Sequence, residues 1–214
     1  MRKLSTLLIA GALVVGLAAP AAAQRKSLGA KVGFVIAQQG GDVESGEGNF
    51  GFSVGGVFGY GLSRTLEIQL EVQYVQKGAQ ERNEGVLRKL NHPYLEILLP
   101  LTVVVPSEYS DFRLRLYGAP NVGFELGCSF VATDFTETAS ADCADERIGF
   151  ETTSVDFGVA FGVGVDVPLG PGALTLDGRY DIGLTNINTS PPPRDAVIKN
   201  RVWQFLAGYL FLLD

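Results

Sequence analysis

The sequence contains few of the residues that most metal proteins and many enzymes depend on. Of its 214 residues, two are cysteine, one is histidine and one is methionine. A structural zinc site uses about four Cys or His ligands, more than Cys128, Cys143 and His92 can supply. The net charge of −6 offers no basic footprint for nucleic acid. We therefore expect no metal, no other cofactor and no nucleic-acid partner.

No apolar run is long enough for a transmembrane helix, which needs about 20 residues. The longest candidate, residues 7–19, follows two basic residues and precedes the alanines of residues 21–23. This order of basic, apolar and small residues is typical of a secretory signal peptide. We expect a signal peptide over residues 1–23 and one exported domain over residues 24–214. An uncleaved anchor is the alternative, and the small-residue cleavage site argues against it.

The sequence has instead a two-residue alternation, clearest over residues 66–77. Even positions from 66 to 74 carry Leu, Ile, Val or Tyr, and odd positions carry mostly Glu, Gln or Lys. A helix advances about 100° per residue and would scatter the two sets around its circumference, whereas a strand places them on opposite faces. Seven other segments alternate similarly, so the predicted strands are residues 27–37, 50–60, 66–77, 90–104, 112–126, 155–167, 173–184 and 200–213.

The connections between these strands alternate in length. Long polar segments, at residues 38–49, 78–89, 127–151 and 185–199, alternate with short ones at residues 61–65, 105–111 and 168–172. Outer-membrane barrels have short periplasmic turns and long extracellular loops. The sequence therefore predicts an all-β fold, an eight-stranded antiparallel up-and-down transmembrane β-barrel in the outer membrane. Pro100 lacks a ladder donor and predicts a bulge or local distortion in the fourth strand.

Alternation alone does not say which face of the barrel is outside. A soluble secreted barrel of the lipocalin kind, carrying an apolar ligand, alternates as well. Here the polar face combines charges of both signs with many Gly and Ser residues, which suits a narrow lumen. Aromatic residues near strand ends, such as Tyr60 and Trp203, are typical of membrane girdles. We expect the apolar face to meet lipid, and keep the soluble barrel as the alternative.

The interior of an eight-stranded barrel is only wide enough to be filled by side chains. Opposite charges enclosed there are expected to form hydrogen-bonded clusters. We predict a structural charge network, with a proton or ion path as the alternative, and no wide diffusive pore. In this prediction three arginines, Arg113, Arg115 and Arg179, bridge the carboxylates of Glu67, Glu71, Glu96 and Asp177.

Cys128 and Cys143 lie in one predicted loop of an exported protein. Because exported chains meet an oxidising compartment, the two are expected to form a disulfide. Closing a loop of roughly 15 residues is worth about 3 kcal/mol in the chain-entropy account. The same loop is acidic and would attract calcium, but it lacks the spacing of an EF-hand, which favours a solvated loop.

A lipid-modifying enzyme is a third alternative for a small barrel. Such chemistry needs a serine with a histidine base near the membrane face. The only histidine, His92, precedes Pro93 at the start of the fourth predicted strand, where an ordinary loop-edge side chain is expected. No Ser-His-acid set can be assembled, and we predict that the protein is not an enzyme.

Several segments resemble the PorT-like outer-membrane β-barrel family, relatives of the small OmpX and OmpA barrels. They include GAKVG, GFSVGGVFGYGLS, LEIQLEVQYVQKGA, LYGAPNVGFELG and VDFGVAFGVGVD. Two departures are the residues Leu98 and Leu99 before Pro100, and the continuation beyond Phe211. The resemblance implies a small outer-membrane barrel and, from one relative, a role in protein secretion across the outer membrane. We expect a monomer in outer-membrane lipid with a structural or adhesive role, or one accessory to protein secretion with envelope partners.

Overall fold

The computed structural model describes residues 25–42, 48–83, 86–106, 111–133, 137–143, 145, 151–191 and 195–213. Within these ranges the chain forms eleven strands. No helix in this part of the chain is long and apolar enough to cross a membrane. The predicted signal peptide, residues 1–23, lies outside the described residues.

The strands follow one another along the chain, and several extend beyond the bounds expected from the alternation. They are β1 (Lys26–Gly41), β2 (Asn49–Gly61), β3 (Leu66–Asn83), β4 (Val86–Leu98), β5 (Leu101–Pro106), β6 (Arg113–Glu125), β7 (Ser129–Thr133), β8 (Thr138–Asp142), β9 (Val155–Leu169), β10 (Gly172–Gly183) and β11 (Ile198–Leu213).

Nine of the eleven strands form a ring of antiparallel pairings with eight positions. The ring passes from β1 to β2 and β3, then to β4 and β5, which share one position, and on to β6, β9, β10 and β11. It returns to its start because β1 pairs with β11 along its whole length, from Lys26↔Leu213 to Gly41↔Ile198. The predicted all-β, eight-stranded antiparallel architecture is confirmed.

The alternation places apolar side chains outside and polar ones inside. On β9, Phe157 and Phe161 are more than half exposed, whereas the intervening Ala160 is fully buried. On β1, Val32 and Phe34 are exposed while Lys31 retains only 4% of its accessible surface. This is the reverse of a soluble ligand-carrying barrel, whose apolar side faces inward. The predicted orientation of the two faces is therefore correct.

Pro100 interrupts the fourth position of the ring without changing its register. The ladder with β3 pairs Glu71 with Leu98 in β4 and Ile68 with Leu101 in β5. Three residues separate the pairs on both strands, so no residue is inserted. The proline still accepts a hydrogen bond, from the Gln69 amide at 2.9 Å. The predicted local distortion is present, but the predicted alternative of a bulge is wrong.

The ladder continues well past the predicted strand ends on the long-loop side. Residues 78–89 are not the expected loop, because β3 runs to Asn83 and pairs in register with β4, which begins at Val86. Gly78, with φ of +139°, takes a backbone conformation that other residues rarely adopt. The region predicted as the loop 127–151 contains a hairpin, β7 and β8, and β7 pairs with β4. We call residues 78–83 and 86–91 together with β7 and β8 the extension.

Candidate functional site

Two buried arginines lie in the interior at mid-height. Arg115 and Arg179 are the largest fully buried side chains in the described part of the chain. The Arg115 guanidinium donates to Asp177 at 3.0 Å, lies 2.9 Å from Asp166 and also contacts Thr175. A buried arginine needs such partners, since an unpaired charge in this environment would be very costly.

Arg179 occupies the neighbouring level. One of its terminal nitrogens lies 2.6 Å from a Glu71 oxygen, and the other donates to Gln73 at 2.5 Å and to Gln204 at 3.1 Å. The Lys31 ammonium then joins the two arginine groups, because it lies 2.6 Å from Glu71 and 3.2 Å from Asp177. Arginines and carboxylates thus form one continuous network across the lumen.

A second group of charges lies nearer the long-loop end. Lys77 lies 2.5 Å from Glu96 and 3.3 Å from Asp156. Gln73 donates to Glu96 at 2.8 Å and so connects this group to Arg179. All of these charged side chains are buried. Opposite charges in hydrogen-bonded clusters stabilise one another most strongly, and here they lie inside the ring of strands.

His92 is fully buried inside the barrel and not at a loop edge as expected. Its Nε2 lies 3.1 Å from Glu125, which also accepts a hydrogen bond from Thr152 at 3.0 Å, and the Tyr94 hydroxyl lies 3.1 Å from the same nitrogen. The prediction was wrong because β4 begins at Val86, so His92 belongs to the wall. A histidine with no exposed surface cannot act on lipid at the outer face.

The structure brings some of the predicted charge partners together and separates others. Asp177 meets Arg115 and Glu71 meets Arg179, but Glu96 meets Lys77. Arg113 lies 3.3 Å from Asp166, which was not among the predicted bridging residues. Glu67 accepts a hydrogen bond from Gln69 at 2.8 Å and lines the same small cleft as Arg113 at the short-turn end.

Sequence reasoning missed the two lysines as members of the network. Lys31 pairs with Glu71 although their strands, β1 and β3, are separated by β2 in the ring. Such a contact depends on how far two side chains reach across the lumen. The inward parity of each residue was a usable signal, but no local spacing along the chain indicates which inward charges meet.

Apolar side chains are buried beyond the charged groups, at the long-loop end. Ile187 is fully buried, and Leu90 and Ile198 are nearly so. The segment that carries Ile187 is fixed by backbone hydrogen bonds, since Ile187 donates to Ile198 at 2.8 Å and accepts from Thr153 at 3.0 Å. Residues 185–191, predicted as part of a loop, therefore continue the wall in irregular form.

The disulfide lies at the base of the hairpin in the extension. Cys128 precedes β7 and Cys143 follows β8, and the two form a disulfide with a Cα–Cα distance of 5.4 Å. The Cys143 amide also donates to the Cys128 carbonyl at 3.2 Å. Hydrogen-bonded pairs alternate along an antiparallel ladder, so Ala139 faces β7 with its backbone groups, whereas those of Ser140 face away from β7.

β8 is the last strand of the sheet within the described residues. Its side chains are small, and Thr138, Ala139 and Ser140 are exposed. Edge strands of soluble proteins are usually guarded by lysine, proline or a bulge. Residues 138–141 have none of these guards, so within the described residues nothing of this kind blocks the approach of another strand.

Comparison with known proteins agrees with this architecture. The model of the family described as outer membrane protein beta-barrel domain matches residues 22–188. Among curated proteins, no sequence matches the chain significantly.

Solved structures that are similar to this chain include three small outer-membrane proteins. Neisserial surface protein A is 14% identical with a TM-score of 0.52, over 87% of this chain and 96% of that one. Ail, the attachment invasion locus protein of Yersinia pestis, is 14% identical with a TM-score of 0.46, over 86% and 98%. Outer membrane protein W of E. coli is 17% identical with a TM-score of 0.41, over 90% and 100%. At these identities the similarity to Neisserial surface protein A shows the fold alone.

Proposed function

The chain belongs to the family of outer membrane protein beta-barrel domains, and from that premise we propose that it is a closed anchor whose extension contacts other proteins outside the cell. The observation that carries this proposal is the contrast between buried ion pairs inside the ring of strands and a ladder that continues beyond the barrel wall. Short turns of such barrels face the periplasm, which places the extension on the extracellular side. The role is structural or adhesive.

The lumen supports a closed barrel. Any solute would have to displace Arg179 from Glu71 at 2.6 Å and Lys77 from Glu96 at 2.5 Å. Removing one partner of a buried pair leaves an uncompensated charge, at a cost of about 3–5 kcal/mol. The proposal therefore includes no diffusive pore.

The extension supports contact by strand addition. An extended peptide can add to an exposed sheet edge and gain main-chain hydrogen bonds. Ser140 directs its backbone groups towards that edge, and the disulfide between Cys128 and Cys143 fixes the hairpin that carries it. The partner is thus a protein with an extended segment. We also propose that the chain belongs to the PorT-like family and that a secretion protein is the partner at this edge.

Selection of extended peptides from a display library tests the contact surface. The target is the full protein in lipid nanodiscs. We expect binders that compete with one another and lose binding in Ser140→Pro, which removes the amide facing the edge. Thr65→Pro, in a short turn at the other end of the barrel, is the matched control. Binders that are indifferent to Ser140→Pro would contradict the proposed edge.

Planar bilayer recording tests the closed lumen separately. The wild-type protein is expected to show no steady conductance, because the ion pairs at Arg179 and Lys77 occupy the lumen. Steady ohmic channels from the wild-type protein at neutral pH would refute the closed barrel, whatever the peptide selection gives.

A further inference from the structure

The lipid-facing wall is not uniformly filled. An apolar groove of about 540 Å³ crosses β1, β11, β10 and β9, with Phe34, Phe205 and Leu176 among its walls. A second groove of about 520 Å³ lies beside it over β9 and β6, with Phe161 and Trp203 among its walls. Both are lined by Val163 and Gly178, so they form one continuous depression, which we call the trough.

Two outward-facing glycines of the trough, Gly178 and Gly118, are not required by contacts inside the protein. A Cβ at Gly178 would meet only ring carbons of Phe205, at 3.8–3.9 Å, and a Cβ at Gly118 only those of Phe161, at 3.7–3.8 Å. These are ordinary contact distances. Glycine in a strand interior weakens the strand and often marks a place where another molecule approaches closely. The two glycines therefore fit a molecule that lies against the wall from outside.

Two basic side chains lie above the trough on the same face of β11. Trp203, part of the trough wall, is followed towards the long-loop end by the outward positions Arg201 and Lys199. No hydrogen bond or ion pair to Arg201 is found among the described residues. Its neighbours in the ladder are uncharged, Gln38 on β1 and Ile182 on β10. Arg201 is thus an exposed cation with no anionic partner in the part of the chain that the structure describes.

Gly40 leaves room for Arg201 beside the wall. A Cβ at Gly40 would lie 2.6 Å from Arg201 Nε, so any larger residue there would displace the side chain. The guanidinium therefore lies close to the barrel at the upper edge of the apolar belt. A phosphate group of a membrane lipid is the anion that occurs at this depth, and arginine recognises phosphate with paired hydrogen bonds.

We propose that the trough and the Arg201–Lys199 pair together bind one phosphorylated lipid of the outer leaflet, with its phosphate at Arg201 and an acyl chain along Gly178. The occupant is a lipid because the trough is apolar, lies within the membrane-facing belt and has its cations at the headgroup end. Charge complementarity selects an anionic headgroup over a zwitterionic one.

Native mass spectrometry of the folded full-length protein tests the proposal, with lipid A and dephosphorylated lipid A as probes. The wild-type protein is expected to retain lipid A more strongly than the dephosphorylated form. Arg201→Gln is expected to weaken lipid A binding about tenfold, as for loss of one charge-assisted contact, and to leave the dephosphorylated probe unaffected. Gly178→Leu, which fills the trough, is expected to weaken binding of both probes.

Matched variants separate this site from general lipid contact. Gly56→Leu adds the same side chain at another outward glycine, where a Cβ would meet only the Gly29 carbonyl at 3.9 Å. Arg64→Gln removes an exposed arginine at the opposite end. Both should bind as the wild type does. Equal binding by Arg201→Gln and Arg64→Gln, or by Gly178→Leu and Gly56→Leu, overturns the proposal, as does a dimer of the protein in place of a lipid adduct. Heat-dependent gel mobility verifies that each variant is folded.

Discussion

The barrel wall and the extension belong to one continuous sheet, yet different forces hold them. In the wall, β9 alternates exposed residues such as Phe161 with buried ones such as Asp166, so each residue is committed to lipid or lumen. In the extension, both faces of β8 are exposed, at Ala139 as well as at Ser140. Burial fixes the register of the wall, while the ladder and one disulfide fix the extension.

The difference predicts where substitutions are felt. A change at a lumen or lipid position should unfold the barrel as a whole, because its ring closes on itself through the pairing of β1 with β11. A change in the extension should remain local, because β8 pairs only with β7 in the described chain. The lone tryptophan, Trp203, lies in the wall and reports barrel unfolding separately from the extension.

The largest effect is expected from Arg179→Leu. The variant removes one of the two cations that lie 2.6 Å from the buried Glu71 carboxylate and leaves only Lys31 beside it. Breaking a buried pair in this way costs about 3–5 kcal/mol. Urea unfolding in lipid vesicles, followed by Trp203 fluorescence, measures the loss. Arg64→Leu, in an exposed turn, is the control, and an equal effect of the two variants would contradict the structural role of the network.

A second substitution tests the lipid face. Leu70→Arg places a charge at an exposed position of the apolar belt of β3 and should cost about 2–4 kcal/mol, if Leu70 lies near the bilayer midplane. Gln80→Arg introduces an arginine at an outward position of the same strand in the extension, where a cost of about 0–1 kcal/mol is expected. Equal costs in the same vesicle assay would contradict the proposed difference in lipid contact between the wall and the extension.

Removal of the disulfide tests the extension itself. The double variant Cys128→Ser, Cys143→Ser should destabilise the hairpin by up to about 3 kcal/mol, since the closed loop has a sequence separation of 15. Hydrogen exchange of residues 129–142 should accelerate, whereas the Trp203 unfolding midpoint should stay unchanged. A shift of that midpoint comparable to that of Arg179→Leu would show that the extension supports the barrel.

The alternation predicted the wall because it is a local signal. The outward and inward positions of β9 follow from adjacent residues, such as Phe161 and Gly162, and need no knowledge of partners. The extension was missed since residues 78–89 are polar on both faces, and only their continuation of an existing ladder makes them strands. His92 was misplaced for the same reason.

The charge partners were only partly predictable. Every bridging residue was assigned to the lumen by its parity, and Arg115 with Asp177 is close in the ring, since β6 and β10 are separated by β9. Glu96 pairs with Lys77 and not with an arginine because of the heights of these side chains in the lumen. Lys77 is level with His92 in the ladder between β3 and β4, whereas the arginines lie nearer the short-turn end. Relative height depends on the register of every strand between the two residues.

The smallest stability effect is expected at the sheet edge. Ser140→Pro removes an amide that faces away from β7, so the free energy of unfolding of the hairpin should change by no more than about 0.5 kcal/mol. Ala139→Pro removes an amide that faces β7, and the lost ladder bond should cost about 1 kcal/mol. Hydrogen exchange at Ala132, the ladder partner of Ala139, measures both. Equal acceleration in the two variants would mean that Ser140 does not face an open edge, and the extension would then lack the surface that distinguishes it from the wall.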